Sequence, residues 1–281
     1  MSEQKGIYWL ASYPKSGNTW FRVFLAHILN ASDEALDLNA ISTGAIASGR
    51  GWVDEALGFD SANFTHDDVD ALRPAVYRWY ASQAKKAEYH KTHDAYTYLL
   101  NGEALIPAKN SLGAVYFIRN PLDVAVSFAN HMNYSIDESI ESMRKPDFAL
   151  CRGHRKMHDQ LRQQLLSWSM HVKSWCDAKE MNCLVLRYED MKQAPMETFT
   201  RATQYLKIDV SEARIKQALD HAHIDRLQSL EQAGGFKEKP PNVKYFFRKG
   251  IVGDWKNVLT SKQVDTIIHD HGEVMKAHGY I

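Results

Sequence analysis

Three observations predict an α/β fold, a single domain over residues 1–281 with a central parallel sheet flanked by helices. Short apolar runs alternate with stretches of helical periodicity, the pattern of strands joined through crossover helices. The length of 281 residues suits one domain of this class with a sizeable core. All three clear strand candidates run into polar residues, Ser12, Arg119 and Tyr188, at the carboxyl ends where open sheets of this kind carry their sites.

The first unit is strand, turn and helix. Ile7 to Ala11 is a short apolar run, and from Thr19 to Leu29 the residues Trp20, Val23, Phe24 and Ile28 recur at helical spacing. The second is GAVYFIRNPLDVAVSFANHM, with a strand at Ala114 to Ile118 and Pro121 suited to the first turn of the next helix. A third strand spans Cys183 to Arg187. Residues 31–70 are rich in Asp, Ala, Ser and Gly and read as a loop or cap, part of an acceptor-side insertion at 31–85. Gln160 to Lys179 reads as one long amphipathic helix carrying Leu161, Leu165, Trp168, Val172 and Trp175. Gly, Pro-Pro and Lys/Arg make 232–256 a long surface loop, a candidate lid.

The 34 basic and 34 acidic residues cancel, so nothing draws the whole chain toward nucleic acid or a membrane, and any anion site must be built locally. Cys151, Cys176 and Cys183 form no CxxC pair and are odd in number, which favours a reducing, cytoplasmic home. The amino terminus lacks the apolar core of a signal peptide, and no run approaches the ~20 apolar residues that span a bilayer.

Four stretches carry candidate chemistry. In YPKSGNTW, Gly17 lets the chain bend around an anion, and Asn18, Thr19 and Trp20 bring backbone N–H groups to a helix amino terminus. An ATP-type loop places lysine directly after its glycine; here Lys15 lies on the other side of the turn. Arg119 ends a strand and Ser127 follows eight residues later, a guanidinium and a hydroxyl suited to a phosphate monoester, unless Arg119 merely pairs with Asp123. HKTHDAY at 90–96 offers His93 as a base beside Lys91. YFFRKGIVGDWK at 245–256 sets Arg248 and Lys249 beside Gly250 in a segment of local positive excess.

Taken in order, these stretches resemble the sulfotransferases that use 3′-phosphoadenosine 5′-phosphosulfate (PAPS), over about residues 7 to 260. YPKSGNTW is similar to the family's 5′-phosphosulfate loop, RNPLDVAVS to its 3′-phosphate motif, LRYEDM to the segment supplying an adenine-side tyrosine, and RKGIVGDWK to its carboxyl-terminal motif. The resemblance implies a P-loop NTPase-like fold and sulfuryl transfer from PAPS to a hydroxyl or amine of a small-molecule acceptor, leaving adenosine 3′,5′-bisphosphate. It implies that Lys15, Ser16, Gly17, Asn18, Thr19 and Trp20 bind the 5′ side and adenine edge, and that Tyr188 reaches the adenine. Arg119, Ser127, Arg248, Lys249 and Gly250 are implied to hold the 3′-phosphate. His93 as general base, with Lys15, Lys91 and Ser127, forms the implied catalytic set, and no metal is called for.

The chain departs from the family pattern at Asn18, where threonine is usual, and at His223-Ile224, where a Ser-Phe pair is usual. KNVLTSKQVD at 256–265 blurs a dimer motif, so no oligomer is assigned. Two other classes share parts of the pattern: a P-loop small-molecule kinase, which magnesium dependence would reveal, and a non-catalytic nucleotide sensor, for which the KTH segment has no use. Trp52, Phe59, Phe64, Tyr77, Trp79 and Tyr80, with the region 131–160, are the candidate acceptor walls, although core packing is the commoner use of such aromatics.

Overall fold

The computed structural model describes residues 4–30, 37–41, 43–153 and 157–281. In chain order the first elements are β1 (Gly6–Ser12), α1 (Asn18–Leu29), α2 (Arg50–Leu57), α3 (His66–Gln83), β2 (Ala87–Thr92), β3 (Ser111–Ile118), α4 (Pro121–Met132) and α5 (Ile136–Arg144). Next come the short strands β4 (Ala149–Leu150) and β5 (Gln163–Gln164), then α6 (Trp168–Cys176), β6 (Cys183–Arg187), α7 (Tyr188–Gln193) and α8 (Pro195–Tyr205). The chain closes with α9 (Glu212–His221), α10 (Ile224–Gly234) and α11 (Ser261–Ala277).

The class is α/β, with a central parallel sheet flanked by helices, as expected. Its strand order is β2-β1-β3-β6. β1 and β2 pair in parallel from Gly6 opposite Ala87 to Ala11 opposite Thr92. Every residue of β1 is buried, as befits a strand covered on both faces. Two compact units make up the chain, Met1–Tyr13 with Gly44–Tyr116 and Lys145–Val185, and Pro14–Thr43 with Phe117–Arg144 and Leu186–Ile281. No helix among the described residues is long and apolar enough to cross a membrane.

Local chemistry explains several boundaries. Asn120 caps α4 by accepting from Leu122 N, and Pro121 occupies the first turn, where its missing N–H costs nothing. Thr65 and Asp68 form a capping box at α3, and Thr260 and Gln263 another at α11. The stretch that blurs the dimer motif thus starts a helix.

Three expectations need correction. The stretch 31–70 is not one loop: it contains α2 and the start of α3, while its residues 31–36 and 42 lie outside the described residues. The strand β2 had not been anticipated, because AEYHKT is mostly polar. The long helix at 160–179 is only α6. Leu166 takes a left-handed backbone (φ 59°), Ser167 caps the helix by accepting from Met170 N, and the chain before them is extended, with β5 antiparallel to β4. Leu161 and Leu165 reach the core from that extended chain, so helical spacing arises there without a helix.

Candidate active site

The loop after β1 is a tight bend with two left-handed residues, Lys15 and Gly17. Gly17 holds φ 102°, and a Cβ there would come within 2.9 Å of Tyr188 Cδ2, so both conformation and space demand glycine. Lys15 is also left-handed (φ 70°), an uncommon state for a residue with a side chain. The amino terminus of α1 has no side-chain cap, so its first N–H groups are not committed to one. Ser16 is buried, and its Oγ has no hydrogen-bond partner among the described residues. Asn18 is buried; Thr19 is half-buried. Trp20 lies edge-on to Tyr188 and Phe199, with Lys192 Nζ 5.2 Å from its ring centre.

Arg119 draws three of the sequence motifs together. Its Nη1 donates to Lys15 O at 3.0 Å, its Nη2 donates to Ile251 O at 3.1 Å, and its guanidinium lies 4.2 Å over the Tyr188 ring. The Nε is buried with no partner among the described residues. Pairing with Asp123 does not occur, because Asp123 instead accepts from Gly253 N (2.7 Å) and Trp255 N (3.1 Å). Ser127 is half-buried on α4. Burial raises the Tyr188 phenol above its ordinary range, against the pull of Arg119, so it stays neutral.

The carboxyl-terminal motif approaches the same arginine through Ile251. Arg248 Nη2 and Lys249 Nζ donate to the two oxygens of Asp254 at 2.5 and 2.7 Å. Burial alone would raise the Asp254 carboxyl, but the bonds from Lys249 and Arg248 outweigh it and hold it below the usual carboxylate range. Gly250 is left-handed (φ 61°). Lys15 Nζ rests 3.9 Å over the Phe246 ring, a cation–π contact worth about 0.5–2 kcal/mol.

His93 stands on a mount of its own in the other compact unit. Ala11 pairs with Thr92, so Ser12 and His93 leave β1 and β2 side by side. His93 Nδ1 lies 2.8 Å from Ser12 O. A carbonyl can only accept, so Nδ1 carries a proton, and it is Nε2 that holds the lone pair when the ring is neutral. His171 Nε2 donates to His93 O at 3.1 Å, and Trp175 Nε1 donates to Asp94 O at 3.0 Å. The Asp94 carboxylate takes Arg73 Nη2 at 2.5 Å and Gln164 N at 2.9 Å, with Arg73 and Asp94 both fully buried. Lys91, half-buried in β2, pairs with Leu10.

The aromatics proposed as acceptor walls divide. Tyr77 is core, its hydroxyl donating to Ala47 O. Trp52 stacks on Tyr80 and His90, whereas Phe59, Phe64 and Trp79 are exposed. Phe64 borders a cleft whose other walls include Arg50, Ser61, His66 and Arg162. Sequence reasoning missed Phe246 and Asp254, although the adjoining aromatic pair and GDW were visible signals; it weighed Asp123 only as a partner of Arg119, not of the Gly253 and Trp255 backbone, and it missed His171, which had no signal.

With this geometry in view, comparison with known proteins gives the class. Residues 7–279 match the sulfotransferase domain family. Sulfotransferase 1 family member D1 of Rattus norvegicus is 26% identical over 276 residues, 95% of this chain and 82% of the relative. Sulfotransferase 1B1 of Mus musculus is 28% identical, covering 91% and 78%. Cytosolic sulfotransferase 1 of Arabidopsis thaliana is 26% identical, covering 93% and 77%. Among solved structures, mouse sulfotransferase SULT7A1 complexed with PAP superposes with a TM-score of 0.61 at 22% identity, covering 97% of this chain and 85% of that one. Retinol dehydratase in complex with androsterone and inactive cofactor PAP gives 0.64 at 19%, covering 96% and 80%. The fold is theirs. The chain belongs to the PAPS-dependent sulfotransferases and is an enzyme of that class.

Proposed function

We propose that this enzyme transfers a sulfuryl group from PAPS, by in-line displacement, to the hydroxyl or amine of a small-molecule acceptor, acting as one sulfotransferase domain. The observation that carries the reading is Arg119, which holds the loop after β1 and the carboxyl-terminal motif while its own buried Nε lacks a partner among the described residues. Ser16 Oγ shares that deficit. Buried polar groups are normally satisfied, and an anion would satisfy these.

Lys15, Ser16, Gly17, Asn18 and Thr19 would hold the 5′ side, Trp20 and Tyr188 the adenine, and Arg119, Ser127, Arg248, Lys249 and Gly250 the 3′-phosphate. Bound there, the donor supplies an electrophilic sulfur and a phosphate leaving group. His93 Nε2 accepts the proton of the acceptor hydroxyl as its oxygen attacks, a role worth about 10²–10⁴-fold. Lys15 meets the charge gathering on the departing phosphate oxygen, aided by fixed backbone donors. Lys91 faces the sulfuryl oxygens, and Ser127 keeps the nucleotide in register.

An alcohol or phenol is the favoured acceptor; androsterone and retinol, bound in two structures of retinol dehydratase, are alcohols. Residues 31–85 and 131–160 would frame it, and 232–256 would act as the lid. Three free thiols and the cytosolic relative in Arabidopsis thaliana support a cytoplasmic setting. The test is incubation with PAPS and an acceptor panel, read by product mass, with and without magnesium. A sulfated product is expected under both conditions. A phosphorylated product from ATP, formed only with magnesium, would replace this reading with a small-molecule kinase.

A further inference from the structure

The segment carrying Arg248 and Lys249 lies in no strand, so its backbone polar groups must find partners elsewhere. One face of α10 supplies them. Ile224, Gln228 and Glu231 fall at i, i+4 and i+7, a single stripe of the helix. Ile224 packs on Gly250, where a Cβ would approach to 3.0 Å of Ile224 Cγ1. Gln228 Nε2 donates to Phe247 O (3.2 Å) and Arg248 O (2.5 Å). Glu231 accepts from Phe246 N (2.7 Å) and Phe247 N (3.0 Å). The loop therefore runs backward along the helix, from 250 beside 224 to 246 beside 231.

We propose that α10 is a splint for the phosphate-binding loop and that Gln228 and Glu231 are positioning residues, fixing the backbone from which Arg248, Lys249 and Gly250 reach the 3′-phosphate. The proposal rests on the donor assignment made above. Glu231 suits this task because it is buried and both of its oxygens are taken by backbone N–H groups. It orders the loop without tying up the loop's cations, whereas Asp254 bonds them directly. The Gln228 amide bridges two carbonyls immediately before Lys249, which limits how that peptide can turn. The departure from the family pattern at Ile224 also has a place here: its branched side chain fills the space that Gly250 leaves open.

The experiment is calorimetric binding of adenosine 3′,5′-bisphosphate and of adenosine 5′-monophosphate to the full chain, as wild type, Glu231→Gln and Gln228→Leu. Each variant weakens the contacts that hold this backbone, so bisphosphate affinity should fall roughly tenfold or more. Affinity for the 5′-monophosphate should stay within about twofold. The KM for PAPS should rise while kcat holds, a split that general loosening of the fold would not produce. Equal weakening of both ligands, or no weakening of either, overturns the splint. A wild type that does not prefer the bisphosphate overturns the donor assignment itself, and the splint with it. If Glu231→Gln fails to fold, Gln228→Leu decides, since it removes only the donated amide bonds.

Discussion

The role proposed for His93 depends on one hydrogen bond. With Nδ1 committed to Ser12 O at 2.8 Å, the ring is oriented and the basic nitrogen is Nε2. In His93→Ala, kcat should drop by about 10²–10⁴-fold, with adenosine 3′,5′-bisphosphate binding unchanged by calorimetry. A variant turning over near the wild-type rate would remove His93 from proton transfer. Gly17 is the other residue without a substitute. Gly17→Ala must adopt φ 102° and press on Tyr188, a strain of about 1–3 kcal/mol. It should unfold at lower denaturant and bind the bisphosphate more weakly; unchanged midpoints and affinity would show that the turn relaxes freely.

At the level of elements, the segment after β2 is rigid because a buried ion cluster fixes it. Arg73 on α3 bonds Asp94 and Asp70, and Arg162 bonds Asp70 in turn. Such a pair contributes little over an apolar substitute, but removing one member strands the other's charge. Arg73→Met should therefore cost about 3–5 kcal/mol in denaturant unfolding, whereas the double variant with Asp94→Asn should recover part of that loss. A single variant as stable as wild type would mean that Asp94 takes up a proton at little cost. Legibility follows the same physics. β1 and β3 could be read because strands buried along most of their length are continuous apolar runs, β6 because Cys183 to Leu186 is apolar although only Leu186 is buried, α1 because its apolar residues recur at helical spacing, and α4 because Pro121 suits a first turn. β2 could not, since Glu88, His90 and Lys91 are polar residues that only tertiary partners admit. The helix expected at 160–179 failed because Leu161 and Leu165 met the core from extended chain, and one left-handed residue, Leu166, lies outside what spacing can reveal. In the candidate site, the motifs proposed to hold the phosphates could be picked out as residue types. Their supports, Asp123, Glu231 and Gln228, could not, because each acts on backbone groups distant in sequence.

Across the whole molecule the charges cancel, yet Lys15, Arg119, Arg248 and Lys249 all lie in the second compact unit, so the proposed anion site is local while acid stability is distributed. Three buried histidines set that stability. Burial lowers His171 to about 4, and His271 likewise. His27 falls to about 4 through burial, reinforced by His221, Arg226 and Arg214. Each is neutral in the fold and titrates near the ordinary 6.5 when unfolded, so between pH 6.5 and 4 the unfolded chain binds more protons. Stability is then fully present above 6.5 and is lost as the pH falls toward 4, by on the order of 3 kcal/mol at most for each histidine. Below that, Asp70 and Asp254, held under the usual carboxylate range, lose their contributions in turn as they protonate. Denaturant-derived unfolding free energies should accordingly be level from pH 7 to 8 and decline steeply from 6.5 to 4, and His271→Leu should flatten the decline by about one proton's worth of slope. A wild-type curve that stays level down to pH 4 would show that these imidazoles protonate within the fold, and that the buried rings are hydrated enough to carry charge.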